Sequence, residues 1–230
     1  MYSELINYLA GFMTKDRMAL FDRMLTQRTR YLTVVLEDIF QSQNASAVLR
    51  SVDCFGLQDV FAIENYNHLV IDREVAMGAS KWLTVKTFCG QSNNSLDAVR
   101  FLRQKGYRIV ATTPHEGDVS LEDFDLCKGK TALFFGTELT GISDMVKQEA
   151  DEFLKIPMYG FTESLNISVS AAVIIHYLTM KLRRGNIDWR MDSYEQEEVK
   201  LEWMRRSIKN SALIEKQFAI IKQNENRTFL

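Results

Sequence analysis

The chain has 230 residues, 46% of them hydrophobic and 25% charged, the balance of an ordinary globular protein with enough apolar material for a sizeable core. A formal net charge of -2 excludes a uniformly basic nucleic-acid binder, so any RNA contact has to use local patches. The scattered cysteines, Cys54, Cys89 and Cys127, offer neither a disulfide framework nor a zinc-type spacing and fit a reducing cytoplasm, and no apolar run approaches the ~20 residues that span a bilayer.

Residues 1–30 carry apolar positions at helical spacing, Leu5, Tyr8, Leu9 and Phe12 and then Met18, Phe21 and Leu25, which predict two short helices. The amino terminus meets Lys15, Asp16 and Arg17 without a cationic leader or a small-residue cleavage site, which argues against a signal peptide. The period then changes. LTVVLED (32–38) is a β-branched strand pattern, followed by a predicted helix from about Ser46 to Phe55 and a second strand, DVFAI (59–63). The alternation continues with LTVKTF (83–88), a helix over 95–105, YRIVAT (107–112) and TALFF (131–135). Strands separated by helix-sized connections imply an α/β fold, a mainly parallel sheet with helices on both faces.

After FLKIPM (153–158), the segment ISVSAAVIIHYLTMKL (167–182) predicts a buried helix whose cationic end, Lys181, Arg183 and Arg184, suits the helix dipole, with Gly185 as its stop. From Tyr194 on, Val199, Trp203, Ile208, Leu213, Phe218 and Ile220 keep a helical period. The expected organisation is a helical extension over 1–31, an α/β domain over 32–185 and a helical extension over 186–230. Two groups of cations, Lys15, Arg17, Arg23, Arg28 and Arg30, then Lys181, Arg183, Arg184, Arg190, Arg205, Arg206 and Lys209, are candidate RNA grips; interspersed acids make solvated helix faces the alternative.

Three segments could carry chemistry. In QSQNASAVLRSVDCFGL (41–57), Asn44, Ala47, Arg50 and Cys54 recur at helical spacing; Asn44 is either an N-cap or a site residue, and Arg50 either a packed stem or a fork onto an RNA phosphate. TALFFGTELTGIS (131–143) has Gly136 and Gly141 after a strand, but Ile142 and Ser143 stand where a Walker loop needs Lys and Ser/Thr, which excludes an NTPase of that type; G-x-G-x-x-G is absent too. Two glycines still mean a close backbone approach or a left-handed conformation, with Ser143 capping the next helix and Glu138 at the end of a central strand, where open α/β sheets bind ligands. In KIPMYGFTESLNISVSAAVIIH (155–176), Gly160, Ser164, Asn166 and Ser168 crowd directly before the apolar helix, more polar groups than one helix cap explains.

Taken together, N-x-x-A-x-x-R at 44–50, G-x-E-x-x-G-I-S at 136–143 and I-P-M-x-G-x-x-x-S-L-N-x-S-V at 156–169 resemble, in order and spacing, the three motifs of the SpoU family of RNA 2'-O-ribose methyltransferases. The likeness runs from Leu32 to Arg184, and MGASKW (77–82) resembles a stretch these enzymes carry between the first two motifs. The short terminal helices are similar to the branch that methylates guanosine-18 in the tRNA D-loop, more than to the ribosomal RNA branch, whose members carry a separate substrate-binding domain ahead of the catalytic one. The resemblance implies a carboxyl-end trefoil knot, a homodimer with active sites at its interface, S-adenosyl-L-methionine as the methyl donor, no metal, and an RNA partner, most simply tRNA. A ribosomal RNA substrate, or a non-catalytic RNA-binding dimer of the same fold, is the alternative.

By the same resemblance the catalytic set is Arg50, Asn44, Glu138, Ser164 and Asn166, with Arg50 as the base, helped by the substrate phosphate and held by Asn44. That role conflicts with arginine chemistry, since a guanidinium stays protonated in proteins. Thr112, Gly136, Ile156, Met158 and Leu165 would present backbone to the donor. Glu163 stands where many relatives carry Gln, an added negative charge beside the third motif, and His68, His115 and His176 are read as structural.

Overall fold

The computed structural model describes residues 2–114, 118–137 and 140–228, with side chains as far as Asn224. Glu138 and His115 lie outside the described residues. The chain opens with α1 (Tyr2–Ala10) and α2 (Lys15–Leu25). Then follow β1 (Leu32–Glu37), α3 (Ser42–Cys54), β2 (Asp59–Ile63), α4 (Arg73–Ala76), β3 (Thr84–Phe88), α5 (Asn94–Gln104), β4 (Arg108–Thr112) and β5 (Val119–Ser120). β6 (Thr131–Phe135), α6 (Asp144–Glu149), β7 (Glu152–Lys155), α7 (Ile167–Arg184), α8 (Ser193–Ser207) and α9 (Ser211–Thr228) complete it. Two compact units result, one from Thr29 to Trp189, the other made of the residues up to Arg28 and from Arg190 onward.

In the first unit every pairing between the named strands is parallel and the sheet order is β3-β2-β1-β6-β4-β7-β5. The central strands β1 and β6 are buried throughout and mostly apolar because both faces are covered. Leu32, Val34 and Leu36 of β1 join Leu133 and Phe135 of β6 in a core shared with α3 and α7. The alternate residues, Val35, Ala132 and Phe134, point to the other face and pack with Ala98, Val99 and Leu102 of α5 and Val146 of α6. Each fully buried Leu or Phe side chain here is worth about 1.5–3 kcal/mol of transfer free energy. The α/β fold with a parallel sheet flanked by helices is the one the alternation predicts.

Local details differ from expectation. α3 begins at Ser42, not Ser46, because Gln41 takes the extended N-cap position and Asn44, inside the first turn, closes it by donating from Nδ2 to Gln41 Oε1 at 2.9 Å. Asn44 is therefore not the N-cap. Gly185 does end α7, but at φ -82, without the left-handed turn that usually recruits glycine there. The 77–82 stretch leaves α4 through two left-handed residues, Met77 and Gly78, and packs on α3; at the other end of α4 its N-cap, Asp72, donates from its backbone N to Ser46 Oγ of α3 at 2.8 Å.

In the second unit, the two ends of the chain build one small core. α1 and α2 both pack on α8, burying Leu9, Phe21 and Leu25 with Val199, Trp203 and Met204. Phe21 meets Trp203 edge-on at 5.4 Å, and the Arg28 guanidinium lies over the same indole at 5.4 Å. Asp192 and Glu195 form a capping box at the start of α8. Among the described residues no helix is long and apolar enough to cross a membrane.

Candidate active site

A cleft of about 510 Å³ opens at the carboxyl ends of β4, β6 and β7, the edge at which open α/β sheets receive ligands. Two loops wall it. One leaves β6 at Gly136 and runs to Ser143; the other leaves β7 and runs from Ile156 to Asn166.

The first loop is closed by its own backbone. Thr137 N donates to Gly141 O at 3.1 Å and Gly141 N returns a bond to Thr137 O at 3.0 Å. This fold-back brings Gly141 so close that a Cβ on Gly136 would stand 2.1 Å from Gly141 O, while Gly141 itself sits at φ +67. Both explanations for the glycine pair therefore apply, one to each residue. Ser143 caps α6 by accepting from Val146 N at 3.3 Å.

The residue that fastens this loop lies outside all three motifs. Glu37, at the carboxyl end of β1 and 2% exposed, accepts from Ser143 N at 2.9 Å, Ser143 Oγ at 2.7 Å and Ser95 Oγ at 2.6 Å. A buried carboxylate needs this many donors, since leaving it unsatisfied costs more than the bonds return. Its one signal in the sequence is an acid ending an otherwise apolar strand. Its neighbour Asp38, at φ 53, accepts from the backbone amides of Asn65 and Tyr66 at 2.7 Å each and so holds the loop after β2.

The second loop is anchored at its end. Asn166 caps α7 by accepting from Ser168 N at 2.8 Å, and Ser168 Oγ donates to the same oxygen at 2.6 Å. Its amide group remains available, and Asn166 Nδ2 donates to Asn44 Oδ1 at 3.1 Å. The first and third motifs are thus joined directly, and Asn166 does more than cap a helix. Gly160 is neither left-handed nor crowded: a Cβ there would lie 4.0 Å from its nearest neighbour, Thr162 N.

The residues singled out as donor-binding, Thr112, Gly136, Ile156, Met158 and Leu165, all line the cleft, as do Ser164 and Asn166. Arg50 does not. It is exposed on α3, and no hydrogen bond or ion pair engages its guanidinium among the described residues; Asn44 pairs with Gln41 and Asn166 instead. Many of the other candidate RNA-binding cations are committed elsewhere. Lys181 Nζ donates to the carbonyls of Glu122 and Phe124, Arg183 lies over Trp189 at 4.6 Å, Arg205 forks onto Glu215 and Arg206 pairs with Glu202.

The model of the SpoU rRNA Methylase family matches residues 31–176. A Borreliella burgdorferi protein named tRNA (guanosine(18)-2'-O)-methyltransferase is 42% identical over 210 residues, 91% of this chain and 94% of that one. The Aquifex aeolicus TrmH/SpoU tRNA modifying enzyme has the same fold, with TM-score 0.73 over 85% of this chain and 98% of that one at 24% identity. The Streptomyces viridochromogenes SpoU methyltransferase AviRb, solved in complex with AdoMet, superposes with TM-score 0.58 over 71% of this chain and 65% of that one, also at 24% identity. With its second and third motifs lining one cleft, its first tied to the third by the Asn44–Asn166 bond, and its sequence matched over most of its length, the chain belongs to the SpoU rRNA methylase family.

Proposed function

We propose that this chain is an S-adenosyl-L-methionine-dependent 2'-O-ribose methyltransferase of structured RNA, with guanosine-18 of the tRNA D-loop as its substrate. The observation that carries the reading is the joining of the three motif segments at one cleft: the loops at 136–143 and 156–166 form its walls, and the Asn44–Asn166 bond ties α3 to them. The name of the Borreliella relative, matched over nearly the whole chain, supports tRNA over ribosomal RNA.

The cleft suits the donor. Its volume of about 510 Å³ falls within the ~300–1,000 Å³ typical of small-molecule sites, and its lining combines apolar side chains with threonine and serine hydroxyls. The turn at Gly136 presents bare backbone to it, which accounts for chemically dull residues at the donor-binding positions. S-adenosyl-L-methionine supplies a methyl group already activated on a sulfonium, so the protein's work is orientation and handling of the ribose hydroxyl proton.

Arg50 is suited to gripping a substrate phosphate: its planar fork is exposed and uncommitted among the described residues. A guanidinium that stays protonated acts by fixing that phosphate beside the attacking hydroxyl, rather than by taking the proton alone. Ser164 and Asn166 orient the ribose, and Asn44 fixes Asn166. Glu138 enters the proposal on its motif alone.

Two further features belong to the reading. β6 lies between β1 and β4, β7 on the far side of β4, and α7 packs back on α3, an order that supports the trefoil knot. Val169, Val173, Tyr177 and Met180 form an exposed stripe along α7, which supports a homodimer that covers it. The test is Arg50→Ala with unmodified tRNA: donor binding by calorimetry should persist while methyl transfer falls at least ~100-fold. Retained turnover overturns the assignment, and a single-chain mass by light scattering of the same samples removes the dimer from it.

A further inference from the structure

Among the described residues that line the cleft, Glu163 is the one with a formally charged side chain; the rest are apolar or neutral polar. It is exposed, and no hydrogen bond or ion pair engages its carboxylate among the described residues. A buried acid such as Glu37 has structural partners enough to account for it. Glu163 has none among the described residues, and a negative charge at the rim of a site meant to sit beside an RNA phosphate carries an electrostatic cost unless a cation offsets it.

We infer that Glu163 makes the cleft charge-selective, favouring the cationic methyl donor over the neutral thioether that remains after transfer. The inference rests on the function proposed above. In that reaction the carbon–sulfur bond of the donor breaks, the sulfur keeps the electron pair, the methyl group joins the ribose oxygen, and the hydroxyl proton leaves. The donor site thus loses one positive charge at each turnover, while its adenosine and amino-acid portions stay the same. Neutral contacts such as the threonine hydroxyls and apolar walls bind both forms alike. A carboxylate tells them apart, which lowers occupancy by spent product and so limits product inhibition. Because Glu163 is exposed, screening keeps the effect small: unit charges roughly 4–6 Å apart in a water-like medium give about a three- to six-fold preference.

The test uses the full-length chain and titration calorimetry with S-adenosylmethionine and S-adenosylhomocysteine, in wild type, Glu163→Gln and Glu163→Lys. In Glu163→Gln the preference for the donor should fall about three- to six-fold through weaker donor binding, with the product's Kd nearly unchanged. Glu163→Lys should shift the ratio further, and added salt should shrink the wild-type preference. Equal loss for both ligands, or an unchanged ratio, overturns the inference while leaving the functional reading intact. A wild-type chain that binds neither ligand overturns the functional reading itself.

Discussion

The two loops that wall the cleft are held in opposite ways. The described residues of the first wall, 136–137 and 140–143, are held by backbone: Thr137 and Gly141 bond each other, Gly136 has no room for a side chain, and Glu37 clamps Ser143 from β1. The 156–166 wall is fixed at one end, where Asn166 caps α7 and reaches Asn44, while Tyr159 and Phe161 ahead of it are almost wholly exposed. Backbone held in place before a ligand arrives, as at Gly136, Thr137 and Gly141, needs little ordering on binding and so adds to affinity at small entropic cost. The other wall, with few buried contacts, has the freedom that a large substrate demands.

Substitutions can break this contrast, and the largest effect should come from the built wall. Gly136→Ala puts a methyl group 2.1 Å from Gly141 O, a distance no real contact has, so the turn must open. A loss of about 3 kcal/mol of stability and of at least ~10-fold in donor affinity is expected, read by thermal denaturation and calorimetry. Wild-type binding by this variant would mean that the turn is not part of the site.

Glu37→Gln tests the clamp. The amide replaces one acceptor oxygen with a donor in a place where Ser143 N, Ser143 Oγ and Ser95 Oγ all approach. The cost should be about 1–3 kcal/mol, with donor affinity falling in parallel as Ser143 shifts. If stability drops while affinity holds, Glu37 supports the fold and not the wall.

Gly160→Ala should be the smallest. Among the described residues beyond its chain neighbours, only Thr162 N comes within 4.0 Å of the added methyl, and the backbone there is not left-handed, so a change within about 0.5 kcal/mol and unaltered donor binding are expected. A marked loss of binding would show that the second wall is as tightly specified as the first.

The cations offer a second lesson of the same kind. Along the chain, Arg50 in the first motif and the cations of the two terminal groups, Lys181, Arg183, Arg205 and Arg206 among them, are all candidates for RNA. In the fold Lys181 satisfies two backbone carbonyls, Arg183 lies over Trp189, and Arg205 and Arg206 face carboxylates, whereas Arg50, like Lys15, Arg23, Arg184 and Lys209, is exposed with no side-chain hydrogen bond or ion pair among the described residues. Charge is a property of a residue; availability is a property of its neighbours.

What the sequence determined by itself was local. The two-residue alternation of β1 and β6 set which side chains face which core, the helical spacing of α3 and α7 set their apolar faces, and the motif spacing set the family. Helix ends were less legible: the first turn of α3 is closed by the Asn44–Gln41 side-chain pair, which looks like loop polarity in a linear reading. Only the tertiary structure decided the long-range joins: Glu37 to Ser143 across 106 positions, Asn44 to Asn166 across 122, and the two chain ends in one helical core. The physical reason is that a residue's period is written in its near neighbours, whereas its hydrogen-bond partner depends on strand order, and no local pattern encodes that β6 inserts between β1 and β4.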